Sequence, residues 1–382
     1  MRECAQTIGA PSPSELREYG MDLPSTQDKL KKYRAFWTNA PMARPLIGFS
    51  LGGWFPLQSY PRMAKFRGRR EIAANELHPE DFLADYDRLV APWEEVEDDV
   101  IRAVAPLPPF PWLEAMLGAR VQVGDEAIWA LEGGFEYADL DALDLSSDNP
   151  WRRKYLEFVA ALNNRFRDRC PVGQPILRGV SDMIAALRGA SQMVFDLYDH
   201  QEQFRRLAGR CTDLLIALLA EQQDITGPFA GGYEVEQLAL WAPGRIIRMQ
   251  EDGSAFFSPS LYVQHLQRED ERQASSFPYS VIHLHSSSLF LLDAILNVES
   301  LKCIQINKDV GGMEVSGMLP FFKKVQQRGK RLLIRGKLDH GDLTLLRSEL
   351  SPNGLYLQIV VESPAETKRF REFFQPWDHA IS

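Results

Sequence analysis

The sequence predicts an α/β fold of the (β/α)8 barrel type, and three observations carry that expectation. The 382 residues suit a single α/β barrel, a class that often runs to this length as one domain. In the second half, five apolar strand candidates alternate with helical segments, the pattern of βα units feeding a parallel sheet. Polar residues fall two apart at the ends of those strands, where barrel enzymes keep their chemistry. A doubly wound open sheet is the structural alternative.

Taken in order, residues 1–40 read as a polar, helical extension, and residues 41–382 as the barrel domain. Pro45-Leu46-Ile47-Gly48-Phe49-Ser50 has strand character, and Gly52-Gly53 after it signals a loop. Residues 80–102 carry helical periodicity. Pro106, Pro108, Pro109 and Pro111 then break the chain. Pro175-Ile176-Leu177-Arg178-Gly179 reads as a short buried strand, followed by Ser181-Asp182 as a helix N-cap. Residues 202–223 form an amphipathic helix with Phe204, Leu207, Cys211, Leu214, Leu215 and Leu218 on one stripe. The five strands follow at Ile246–Asp252, Ser280–His285, Cys303–Asn307, Leu332–Lys337 and Leu355–Glu362. Helical segments separate them, around Tyr262–Ser275, Leu289–Leu296, Met318–Arg328 and Leu343–Leu350.

Composition excludes several function classes. The formal net charge is −9 and no basic face is apparent, so a nucleic-acid partner is not expected. No stretch approaches eighteen apolar residues, so no membrane span is expected. The N-terminus lacks a basic start followed by an apolar run, so no secretory signal is expected. The four cysteines lie far apart with no CxxC pair, which points to a reducing, cytoplasmic setting.

Side chains two apart on a strand share a face. On that basis Gln250 pairs with Asp252, His283 with His285, Gln305 with Asn307, and Arg335 with Lys337, while Glu362 closes the last strand. The histidine pair is the sharpest feature. Two imidazoles on one face can bind a divalent metal such as zinc, with Glu362 or Asp252 supplying an oxygen, or can form an acid–base pair with no metal. Arg178, Asn307, Arg335 and Lys337 are candidates for holding an anionic small-molecule substrate, and Trp54 for lining its pocket.

Two segments resemble a known family. Gly179-Val180-Ser181-Asp182-Met183-Ile184-Ala185-Ala186-Leu187-Arg188-Gly189, with Phe195-Asp196-Leu197 after it, is similar to the middle of uroporphyrinogen decarboxylase-like proteins. Glu251-Asp252-Gly253-Ser254-Ala255-Phe256-Phe257-Ser258-Pro259 resembles their "D-S-x-A-G-x-L-S-P" segment. Ile282-His283-Leu284-His285 falls where the zinc-dependent methyltransferase branch carries His-x-Cys. The resemblance runs from about residue 80 to the C-terminus. It implies a barrel, a homodimer and, for the methyltransferase branch, zinc and a separate corrinoid protein as methyl donor.

The departures narrow what is implied. The decarboxylases' R-Q-A-G-R motif is replaced by Phe49-Ser50-Leu51-Gly52-Gly53, and the family's tyrosine falls near Ala185. The equipment for a tetrapyrrole bearing many carboxylates is therefore largely missing. Against the branch's His, Cys and Cys, this chain offers His283, His285 and Glu362, a harder set suited to activating water, a hydroxyl or a carboxylate. The expected function is thus a methyltransferase-branch enzyme acting on a small anionic substrate, with Asp252, His283, His285 and Asp182 as catalytic candidates. A decarboxylase (carboxy-lyase), with His283 or Asp182 delivering the proton, is the alternative, and a non-catalytic binding barrel is the third reading.

Overall fold

The computed structural model describes residues 25–51, 56–108 and 110–377. Its centre is a six-stranded parallel sheet: β1 (Leu46–Leu51), β2 (Ile246–Gln250), β3 (Tyr279–Leu284), β4 (Cys303–Lys308), β5 (Arg331–Gly336) and β6 (Leu355–Val361). The spatial order is β1-β6-β5-β4-β3-β2. Each of the five later strands falls within two residues of its expected bounds. Among the helices are α1 (Thr26–Thr38), α2 (Val180–Arg188), α3 (Ala190–Asp199), α4 (Gln201–Thr226), α5 (Val315–Gln327) and α6 (His340–Glu349). The architecture is a mixed α/β, barrel-like fold. No described helix is long and apolar enough to cross a membrane.

The ladder does not close into eight strands among the described residues. Past β1 it gives way to single bridges: Asp99 N donates to Ile47 O (3.0 Å), Val104 bridges Val172, and Gln174 bridges Val235, the last two in parallel. Pro171 and Pro175 bracket this run and have no N–H to donate, so the strand expected at Pro175–Gly179 does not form. A side chain spans the last gap. Gln174 Nε2 donates to Arg248 O (2.8 Å), and Arg248 N donates to Gln174 Oε1 (2.7 Å), the bonding a neighbouring strand would otherwise supply. At the far end, a Cβ on Gly179 would stand 1.4 Å from Gln250 O, so only glycine permits this approach. Gly179, not Ser181, caps α2, while Asp182 at the third helical position accepts from Gly179 N (3.1 Å).

Strand periodicity sorts the side chains into two cores. One face of each strand (Ile47, Met249, Ile282, Ile304, Ile334 and Leu357 among others) packs against the helices. The other faces inward. At its N-terminal end stand Leu46, Ile246, Val281, Cys303, Leu333 and Tyr356, all fully buried together with Leu30, Tyr33, Phe36 and Trp37 of α1. Helix α1 is thus a plug across the N-terminal mouth. It is pinned by Tyr33 Oη donating to Ala239 O (2.5 Å) and by Trp37 Nε1 donating to Trp241 O (2.8 Å).

Candidate active site

Two residues further along each strand, the inward layer changes character. The same alternation that buries Ile246, Val281, Cys303, Leu333 and Tyr356 now presents Arg248, His283, Gln305, Arg335 and Gln358. One more step brings Gln250 and Asn307, with Asp252, His285 and Asp309 just beyond their strands.

The two imidazoles meet, with His283 Nε2 and His285 Nε2 3.3 Å apart. Their other nitrogens are already engaged. His285 Nδ1 lies 2.7 Å from Asp309 Oδ1, and because a carboxylate only accepts, that nitrogen carries the proton. Asp309 is fixed in turn by donation from Ser286 N and Ser286 Oγ, both 2.9 Å. On the other ring, Asn307 Nδ2 donates to Asp309 (3.3 Å) and Gln305 Nε2 donates to Asn307 Oδ1 (3.0 Å). Gln305 Oε1 is therefore left to accept from His283 Nδ1. The relay assigns the tautomer of His283 and leaves its Nε2 lone pair directed at His285.

Asp252 completes the cluster, its Oδ2 3.7 Å from His285 Nε2. One donor atom from each of Asp252, His283 and His285 lies within 4.8 Å of the other two. Gln250 Nε2 donates to Asp252 (3.1 Å) and to Asp182 (3.2 Å), and Asp182 also accepts from Gly253 N (3.0 Å). Arg248 Nη1 donates to Gln250 Oε1 (2.8 Å).

Charge follows this geometry. Burial, with the Arg248 charge behind it, pushes His283 down to about 3, so its ring is neutral at ordinary pH. The Asp252 and Asp309 carboxylates raise His285 to about 10. Burial pushes the Asp252 carboxyl up, but His285, His283 and Arg248 outweigh it and hold the group below its usual range. Burial and the neighbouring Asp252 raise Asp182.

The structure thus brings together Asp182, Asp252, His283, His285 and Asn307, and does not bring the other candidates to them. Glu362 pairs with Lys337 (2.6 Å) on the surface, both side chains more than 60% exposed. It follows the end of β6, three strands from β3, roughly 14 Å along the sheet at about 4.8 Å per strand. The oxygen beside the histidines is that of Asp252. Arg178 Nε lies 3.3 Å from the buried Glu114 carboxyl and acts on Asp182 only through its charge. Trp54 lies outside the described residues.

Arg335 stands elsewhere in the same mouth. It pairs in register with Asn307 on one side and Gln358 on the other, and its Nη2 donates to Ser50 Oγ (3.3 Å). Burial brings its guanidinium down to about 9. It lines a cavity of 340 Å³ that also takes in Ser50, Tyr60, Tyr86, Trp93, Glu236 and Gln358.

Sequence reasoning missed Arg248, Glu236 and Asp309. Asp309 had a signal, since it continues the every-other-residue series Gln305, Asn307, Asp309 past the strand end. Arg248 had a weaker one, as a lone charge two positions before Gln250. Glu236 had none, because it sits in a single turn after a three-residue strand.

No family model matches the sequence, and no curated protein sequence matches it. Among solved structures, a methyltransferase from Methanosarcina mazei is similar over 90% of this chain and 99% of its own, with a TM-score of 0.59 at 12% identity. A mannanase from Bacillus subtilis is similar over 90% of both chains at 10% identity, with a TM-score of 0.41. The first likeness is one of fold.

Proposed function

We propose that this chain is a methyltransferase-like enzyme, acting on a small anionic substrate, with a zinc-type divalent ion held by His283, His285 and Asp252. One observation carries the reading: two Nε2 atoms and a carboxylate oxygen converge, while both Nδ1 atoms are already held from behind. Metal-ligating histidines are oriented in this way by carboxylates or amides on their second nitrogen. A tetrahedral ion with ligands about 2.0–2.2 Å away keeps those ligand atoms about 3.3–3.6 Å apart. The 3.3 Å between the two Nε2 atoms falls in that range, and the 3.7 Å from His285 Nε2 to Asp252 Oδ2 lies just beyond it. The fold neighbour supports the methyl-transfer class, and a separate corrinoid protein is the methyl donor to test. We further read the bridged segments around Val104 and Gln174 as the two places that complete an eight-fold barrel.

Such an ion would supply Lewis acidity to a substrate heteroatom, lowering its pKa. The chain's own residues set the stage. Asp309 fixes the tautomer of His285, and Gln305 with Asn307 fixes that of His283. Gln250 donates to both Asp252 and Asp182, and burial and the Asp252 charge raise the Asp182 carboxyl beside it. Arg248 and Arg335 favour a negatively charged substrate in this mouth. The raised His285 favours a second version, in which His285 is the acid and His283 Nε2 the base with no metal.

Metal analysis decides between them. Purified protein should carry or take up one zinc per chain, lost in His283→Ala and Asp252→Ala. No stoichiometric binding in the wild type would leave the acid–base version. Transfer of a labelled methyl group from a methylcorrinoid to small hydroxy and carboxylate acceptors tests the reaction itself.

A further inference from the structure

The cavity beside Arg335 lies in the barrel mouth but does not include the histidines. At 340 Å³ it is at the low end of small-molecule pockets, which run about 300–1,000 Å³. Part of its wall is aromatic. The Tyr60 and Tyr86 rings stand 5.0 Å apart, and Tyr86 is held rigid because its Oη donates to Ala105 O (2.7 Å) and accepts from Leu107 N (2.8 Å). Trp93 forms another side. Arg88, Arg102 and Gln358 are among its polar lining, and so are the Arg335 guanidinium and the Glu236 carboxyl, the latter with no hydrogen-bond partner among the described residues.

We propose that this cavity binds a single-ring aromatic hydroxy acid, its carboxylate on Arg335, its hydroxyl on Glu236 and its ring against Tyr60, Tyr86 and Trp93. The inference rests on reading this barrel mouth as the substrate site. The carboxylate follows from Arg335, whose planar fork matches that group and which stands beside a second buried guanidinium, Arg248. The hydroxyl follows from Glu236. An ammonium would be desolvated among two guanidiniums, whereas a hydroxyl donates to this carboxyl without adding charge. Burial raises Glu236 to about 7 even with Arg335 and Arg248 near, so it suits a neutral partner. The ring follows from the aromatic side of the wall, where Tyr86 is held rigid.

Calorimetric titration of the full chain, stripped of metal, tests this with three probes. 4-Hydroxybenzoate should bind. 4-Hydroxybenzamide, which lacks the charge, and benzoate, which lacks the hydroxyl, should each bind at least tenfold more weakly. Arg335→Gln should abolish the preference for the acid over the amide. Glu236→Gln should shrink the preference for the hydroxy acid over benzoate. The wild-type comparison needs no variant, so it holds even if Arg335→Gln does not fold. Equal binding of the three probes, or no heat from any at millimolar concentration, overturns the proposal. Zinc titration of the same preparation keeps the two readings apart. Acid binding without zinc binding leaves this inference standing and removes the metal centre, and zinc without acid does the reverse.

Discussion

The two ends of the same six strands solve opposite problems with one geometry. At the N-terminal end the inward positions are Leu46, Ile246, Val281, Cys303, Leu333 and Tyr356, and α1 closes over them. One pleat further on, the inward positions hold a glycine on β1 and, on the other five strands, two arginines, a histidine and two glutamines. The plug gains stability by removing apolar surface from water. The rim buries charge, and the cost is offset along the run from Arg248 through Gln250, Asp252, His285, Asp309, Asn307 and Gln305 to His283, where each side chain meets the next. Stability and chemistry are therefore separated along the strand axis, and a substitution should disturb one end while sparing the other.

The sharpest break of that separation would be at the plug. Trp241 is fully buried, its Nε1 donates to Phe229 O (3.0 Å), and its ring packs on Tyr33 at 5.9 Å. Trp241→Ala should lower unfolding free energy by about 3–5 kcal/mol. Denaturant unfolding measures that loss, and zinc affinity of the folded fraction should be unchanged. A parallel fall in affinity would mean that the two ends are mechanically coupled.

The reverse experiment strikes the rim. Asp309→Asn keeps the shape but cannot fix the His285 tautomer by charge. It should weaken zinc binding about 10–100-fold, the usual effect of losing a carboxylate behind a ligating histidine. Thermal unfolding of the metal-free protein should move little. Unchanged affinity would show that Asp309 is only the cap of the Ser286 turn.

How far each end was legible follows from the same geometry. Strand bodies could be read because both faces are buried, so apolar runs mark them, and the period of two placed His283 with His285 and Gln305 with Asn307. What could not be read was which strands meet. Glu362 and Asp252 both follow a strand end near the rim, and only the sheet order, with β2 beside β3 and β6 three strands away, sets Asp252 against the histidines. Arg248 was hidden inside the apolar run Ile246-Ile247-Arg248-Met249. The gap beside β2 was hidden because a side chain, that of Gln174, makes the bonds that strand backbone would make.

A smaller effect lies in the pH dependence of the metal-free rim. His285 is raised in the folded protein to about 10, so the folded state holds the proton longer than the unfolded chain does. Its contribution is therefore fully present below about 6.5 and is lost as pH rises through about 10. Chemical denaturation at pH 6, 8 and 10, compared with His285→Gln, should show the wild-type advantage shrinking. The change should be on the order of 1 kcal/mol, since solvent screens a site of this exposure. His285 and Asp252 are each 37% exposed. An advantage that grows with pH would contradict the cationic assignment.

The smallest expected effect is also the most discriminating for the ligand set. Glu362 and Lys337 form an ion pair with both side chains in solvent, 63% and 62% exposed for Lys337 and Glu362 respectively. Such pairs contribute little, because water already solvates both charges and salt screens them. Glu362→Gln keeps the shape and removes the charge. If Asp252 is the oxygen ligand, zinc affinity of Glu362→Gln should match the wild type within about twofold, while Asp252→Asn loses the ion. The melting temperature should not shift beyond measurement error. If Glu362→Gln instead loses zinc as Asp252→Asn does, the C-terminal segment must fold over the mouth when metal binds. The cluster at β2 and β3 would then be only part of the centre. Equilibrium dialysis of the two variants beside the wild type separates the outcomes, because a surface ion pair cannot mimic the loss of a ligand.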